Sequence, residues 1–238
     1  MSCDFILVAG PLVRASSWEP TAQHLRAAGY KVGVPDVLAR HHPPPAWRDW
    51  NDRIIEEADA GSTTVLVGHS SASALVADLA TRLACRGLII VDGDVPPAQG
   101  AAAPVRPALR DFIRSLAGPD GMLPVWSKWF AGDPQRAARV GIDLLARDAT
   151  AFAAFEAELP LLPESWFDDT IELAAWDHVP AGFIRTSAVY DHATAEAKRR
   201  GWPVAHLHGT HLDPTLRPAE TAAALIAMSG KIGLARRT

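Results

Sequence analysis

A serine hydroxyl is a poor nucleophile until a base takes its proton, so a reactive serine in this chain has to be read together with a histidine. Ser70 lies in Gly68-His69-Ser70-Ser71-Ala72, between the apolar run Val65-Leu66-Val67 and a stretch from Ser71 to Leu83 with apolar residues at helical spacing. A strand that passes through one small-residue turn into a helix holds its serine on a strained backbone and lifts Oγ clear of the sheet. The residues two before and two after must be small because the strand and helix backbones nearly touch, and Gly68 and Ala72 meet that demand. The five residues alone are common by chance, so the strand and helix around them carry the argument. A base follows near the C-terminus: His211 lies in Leu207-His-Gly-Thr-His-Leu-Asp-Pro214, after an apolar run and before a helical stretch opened by Pro218. With both groups in one site, Ser70 would attack an acyl carbonyl, and His211 would take the proton and return it to the leaving group.

The elements that must position these groups are legible as alternation. Short apolar runs at Phe5–Ala9, Tyr30–Val34, Val65–Val67, Gly87–Val91, Gly182–Thr186 and Val204–Leu207 read as buried parallel strands. Helical patterns lie between or after them at Ser17–Ala28, Trp47–Ala58, Ser71–Leu83, Thr194–Arg200 and Pro218–Met228. Right-handed crossovers then place helices on both faces of an open sheet and gather chemistry at the carboxyl ends of its strands. The alternation stops over residues 95–179, which read as a helical cap between two core segments, 1–94 and 180–238. Helices are expected there near Val105–Leu116, Met122–Phe130, Pro134–Leu145 and Ala149–Leu159, with Ala101–Pro104 as a flexible connector. The segment is rich in aromatics, which fill cores more often than they touch ligands. Trp126, Trp129 and Trp166 are the expected pocket residues, giving the site an apolar entrance that prefers apolar over charged acyl groups.

At this point the chain resembles the α/β-hydrolase family. The resemblance runs from Phe5-Ile-Leu-Val-Ala-Gly10, with Trp18 and Ala27-Ala-Gly29-Tyr30, through the turn at Ser70 to His211, in the family's order of serine, acid, histidine. It implies an α/β fold: a mostly parallel, doubly wound sheet with a helical cap inserted after the strand ending near Val91. It also implies a cofactor-free serine esterase or lactonase that handles a small-molecule substrate with a small to medium apolar acyl group through an acyl-enzyme. The acid that orients the histidine usually follows the penultimate strand in this family, which points to Asp191; Asp94, after Gly87–Val91, is the alternative. Family members stabilise the oxyanion with two backbone N–H groups. Ser71 supplies the first, but Pro11 stands where the second is expected and has no N–H, so a one-residue shift would make Leu12 the donor. The same scaffold also hosts C–C bond hydrolases, lyases and non-catalytic ligand-binding proteins, and the Ala9-Gly10-Pro11 loop keeps these readings open.

Bulk properties narrow the classes. A formal net charge of −4 over 238 residues, with basic clusters only at Lys198–Arg200 and Arg236-Arg237, offers no footprint for nucleic acid. No apolar run approaches the roughly 20 residues that cross a bilayer, so no membrane association is expected. Cys3 and Cys85, with no signal-peptide profile at the N-terminus, suggest a cytoplasmic protein with free thiols; a homodimer stays open. His206, His208 and His211 resemble part of a metallo-β-lactamase signature, but Thr210 replaces its aspartate and 27 residues after His211 leave no room for a second half-site, so no metal is expected. His69 and the pair His41-His42 read as polar loop residues, and Pro43-Pro44-Pro45 as a stiff connector.

Overall fold

The computed structural model describes residues 2–38 and 47–232. His41-His42, Pro43-Pro44-Pro45 and Arg236-Arg237 lie outside the described residues.

The apolar runs form β1 (Phe5–Val8), β2 (Val32–Gly33), β3 (Val65–His69), β4 (Gly87–Val91), β7 (Ala181–Arg185) and β8 (Val204–His206). They make one six-stranded parallel sheet in the order β2-β1-β3-β4-β7-β8. Side chains alternate across it, as a strand period of two requires. Phe5, Leu7, Val65, Val67, Ile89 and Val91 face α1 (Glu19–Ala27) and α10 (Pro218–Lys231), through Leu25, Leu225 and Met228. Ile6, Leu66, Leu88 and Ile90 face the other way, toward α2 (Trp47–Glu57) and α3 (Ala72–Arg82). Both faces are covered, so the central strands are apolar throughout.

The segment between β4 and β7 leaves the sheet and holds α4 (Pro107–Leu116), α5 (Pro134–Val140), α6 (Ile142–Leu145) and α7 (Ala149–Glu158). It also holds a feature not expected from the sequence: β5 (Gly100–Ala102) and β6 (Ile171–Leu173) pair antiparallel as Gly100↔Leu173 and Ala102↔Ile171. Gly-Ala-Ala has no strand propensity of its own, so a partner some seventy positions away in the chain, not local pattern, makes it a strand. The expected helix Pro134–Leu145 is broken by Gly141 at φ 92°, a left-handed conformation that glycine adopts without strain. A Cβ there would also lie 2.5 Å from Thr210 Oγ1, so the break lets the cap press onto the chain beside His211. The remaining helices, α8 (Asp191–Arg199) and α9 (Asp213–Leu216), flank β8. Among the described residues no helix is long and apolar enough to cross a membrane.

Candidate active site

Ser70 follows the last residue of β3 and precedes α3, with φ 58°. The turn needs its small neighbours: a Cβ on Gly68 would lie 2.7 Å from Val76 Cγ2 and 2.8 Å from Ala72 O. The Ser70 N–H donates to Val91 O at 3.1 Å, which ties the turn to the carboxyl end of the adjacent strand. Ser70 and Asp92 (φ 44°) are the only non-glycine residues with positive φ among those described. Holding an L-residue there costs about 1–2 kcal/mol, so two such residues side by side mark a place where geometry is bought at the expense of stability.

Asp92 is the first residue beyond β4, and its carboxylate faces His211. His211 Nδ1 lies 2.8 Å from Asp92 Oδ2, both side chains buried. Three further donors hold that carboxylate: Thr186 N–H at 3.0 Å and Ser187 N–H at 2.9 Å on Oδ1, and the Ser187 hydroxyl at 2.5 Å on Oδ2. Burial pushes the Asp92 pKa up, but the hydrogen bonds from His211 and Ser187 outweigh it and hold the group below its ordinary value. An ionised Asp92 can only accept, so among the neutral tautomers of His211 it favours the one with its proton on Nδ1, the tautomer a base requires.

Neither aspartate chosen from the sequence occupies this position. Asp191 is the first residue of α8, its side chain 61% exposed and paired with Arg185. The turn Ala188–Tyr190 carries it past the strand end and out of the site. Asp94 lies three residues beyond the strand, where it meets His192 Nε2 at 2.5 Å. The signal for Asp92 was present: it immediately follows the apolar run Gly87–Val91, at the strand's very end.

Two other residues were missed. His69, expected as a loop residue, is the buried last residue of β3, and its Nε2 donates to the His211 carbonyl at 2.9 Å. Burial, together with repulsion from His211, pushes its pKa down to about 3, so it stays neutral and serves as a fixed donor. Tyr190 is buried, its ring stacked on His211 at 5.5 Å between centroids and its hydroxyl 3.4 Å from Ser70 Oγ. Burial, then the nearby Asp94 charge, push its pKa up, so the phenol keeps its proton. Ser70 Oγ and His211 share no hydrogen bond, although both line one cleft. Tyrosine next to an aspartate in a loop carries no sequence pattern, which is why Tyr190 was not singled out.

The cleft has a volume of about 420 Å³ and lies between the sheet's carboxyl edge and the cap. Trp126 and Trp129 line it as expected, with Trp126 6.2 Å from the His211 ring. Trp166 does not line it. Its ring packs 4.1 Å from Trp47 and 5.3 Å from Trp50, where it joins the cap to α2. Nor is the lining wholly apolar, since Arg106, Arg136 and Arg139 take part in it. The cap reaches His211 through the main chain: His211 N–H donates to Arg139 O at 3.2 Å and Leu212 N–H to Val140 O at 3.0 Å.

Pro11 follows Gly10, whose carbonyl accepts Val13 N–H at 3.2 Å, so Pro11 holds the second position of a β-turn, which its fixed φ favours. Leu12 and Ser71 both line the cleft beside Ser70, and neither N–H has a hydrogen-bond acceptor among the described residues. His206 and His208 are exposed on and just beyond β8, away from the buried His211. Cys3 and Cys85 are free thiols.

A model of an alpha/beta hydrolase family matches residues 5–224. Among solved structures, the chain is similar to an extracellular alpha/beta-hydrolase from a Paenibacillus species, at 17% identity and a TM-score of 0.73, covering 94% of this chain and 98% of that one. It is also similar to tomato methylketone synthase I, solved with 2-tridecanone, at 16% identity and a TM-score of 0.72, covering 96% and 98%. A third is polyneuridine aldehyde esterase, at 14% identity and a TM-score of 0.70, covering 94% and 98%. At these identities the likeness is one of fold. No curated protein sequence matches the chain.

Proposed function

Because the chain belongs to the alpha/beta hydrolase family, we propose that it is a serine hydrolase of carboxylic esters or lactones with a small to medium apolar acyl chain, with Ser70, His211 and Asp92 as its triad. One observation carries the reading: the buried His211 Nδ1–Asp92 Oδ2 contact of 2.8 Å, in the cleft where Ser70 stands on its strained turn. Asp92 fixes the tautomer, and the outer His211 nitrogen accepts the Ser70 proton as Oγ attacks the acyl carbon. The Ser71 N–H, at the start of α3, and the Leu12 N–H receive the developing oxyanion, and the helix dipole adds to the first. His211 then protonates the leaving alcohol, and a water repeats the sequence on the acyl-enzyme. Trp126 and Trp129 provide the apolar wall for the acyl chain.

Labelling with a fluorophosphonate, combined with turnover of p-nitrophenyl butyrate, tests this reading. The wild-type protein is expected to label on Ser70 and to turn over, while Ser70→Ala and His211→Ala lose nearly all turnover with unchanged circular dichroism. Turnover persisting in Ser70→Ala would defeat it.

A further inference from the structure

The cleft wall carries a charge pattern that ester hydrolysis does not itself need. Arg106, Arg136 and Arg139 all line it, and among the described residues no aspartate or glutamate does. Their charges are unequally balanced. Arg106 lies 3.1 Å from His192 Nδ1, and His192 in turn meets Asp94, so its charge is drawn to a carboxylate outside the cleft. Arg136 lies over the Phe112 ring at 4.3 Å, with Asp133 3.5 Å from its Nε. Arg139 has no ion pair or side-chain hydrogen bond among the described residues, yet its main chain is bonded to His211. Arg139, exposed and without an ion pair among the described residues, thus lines a cleft that also holds Trp126, Trp129 and the proposed base, and its main-chain carbonyl accepts the His211 N–H. Low-dielectric walls concentrate the field of such a charge on whatever enters.

Resting on the serine-hydrolase reading, we propose that the substrate's apolar acyl chain ends in a carboxylate, so that the protein's preferred ester is a monoester of an aliphatic dicarboxylic acid. The scissile carbonyl sits at Ser70, the methylene chain crosses the wall of Trp126 and Trp129, and the distal carboxylate meets Arg139 with Arg136 beside it. A guanidinium fork matches a planar carboxylate with two parallel hydrogen bonds. One unbalanced guanidinium calls for a single negative charge, which favours a carboxylate over a phosphate dianion. On this proposal the arginines attract the charged end that an entrance lined by the tryptophans alone would reject.

The test separates binding from turnover. Methyl hydrogen succinate, adipate and suberate are titrated against their dimethyl esters into Ser70→Ala by ligand-observed NMR, and the same six esters are offered to the wild-type protein for hydrolysis. The half-ester of at least one chain length is expected to bind about tenfold more tightly than its diester, a preference that shrinks with added salt and falls severalfold in Arg136→Gln/Arg139→Gln. Equal binding across the series, tighter binding of the diesters, or a preference that survives the double substitution would overturn the proposal. A preference in binding with no hydrolysis of any ester would keep the carboxylate site and retire the hydrolase reading. Hydrolysis without preference would do the reverse.

Discussion

Replacing Asp92 with asparagine tests the site at its least exposed point, and the contacts around the carboxylate dictate the outcome. Oδ1 accepts two backbone N–H groups, from Thr186 and Ser187, neither of which can turn into an acceptor. The asparagine oxygen must take that position, which leaves its NH₂ facing Ser187 Oγ and His211 Nδ1. Ser187 can rotate its hydroxyl to accept, but Nδ1 can accept only by moving its proton to the outer nitrogen, which then cannot take one from Ser70. The wrong tautomer is expected to lower kcat by about 10⁴-fold, or about 5.5 kcal/mol of barrier, with the fold intact because the amide keeps a partner on every side. Asp191→Asn breaks only an exposed pair with Arg185, and Asp94→Asn only a contact with His192, so each is expected to stay within about threefold of wild type. The assay is p-nitrophenyl butyrate turnover of the three variants, with circular dichroism as the control for folding. A folded Asp92→Asn within tenfold of wild type, or an Asp191→Asn as damaging as it, would refute the reasoning.

Three further outcomes follow from residues around the triad. The folded His69 pKa of about 3 lies below the ordinary 6.5, so between those values the unfolded chain binds a proton that the native protein does not, and stability falls as pH drops through that window. Urea unfolding should therefore show about 2 kcal/mol of loss from pH 7 to pH 5 that His69→Gln, whose amide can still donate to the His211 carbonyl, does not share; identical pH dependence in both proteins would count against a buried neutral His69. Tyr190→Phe keeps the ring stacked on His211 but removes the hydroxyl near Ser70, and should lower kcat about fivefold, the worth of one neutral hydrogen bond, in steady-state assays. Pro11→Ala should leave ester turnover level or lower, since the proline stiffens a turn while Leu12 supplies the donor; a clear gain would mean that the oxyanion site lacks its second N–H.

What the sequence determined by itself was local. The strands are continuous apolar runs because both faces of the sheet are covered, and the turn at Ser70 is legible because close packing of one strand on the next helix demands small residues at fixed offsets. His211 followed from its place between the last strand and the last helix. The tertiary structure decided which groups meet across the chain. Asp92, Asp94 and Asp191 all follow strand ends; Asp92 stands out locally only by coming directly after the apolar run Gly87–Val91, which does not say what its carboxylate meets. The choice falls to register: Asp92 N–H continues the β4–β7 ladder onto Ile184 O at 2.9 Å, and Gly209 N–H continues β7–β8 onto Thr186 O at 3.0 Å, so the strand ends are level and only the first residue past β4 reaches His211. Trp166 was equally undecided, because an aromatic in a cap faces either substrate or core, and only the approach of Trp47 and Trp50 from α2 turned it inward. Sequence neighbours constrain conformation through sterics and hydrogen bonds a few residues long; partners more than a hundred residues apart, such as Asp92 and His211, are brought together by packing of the whole sheet and cap.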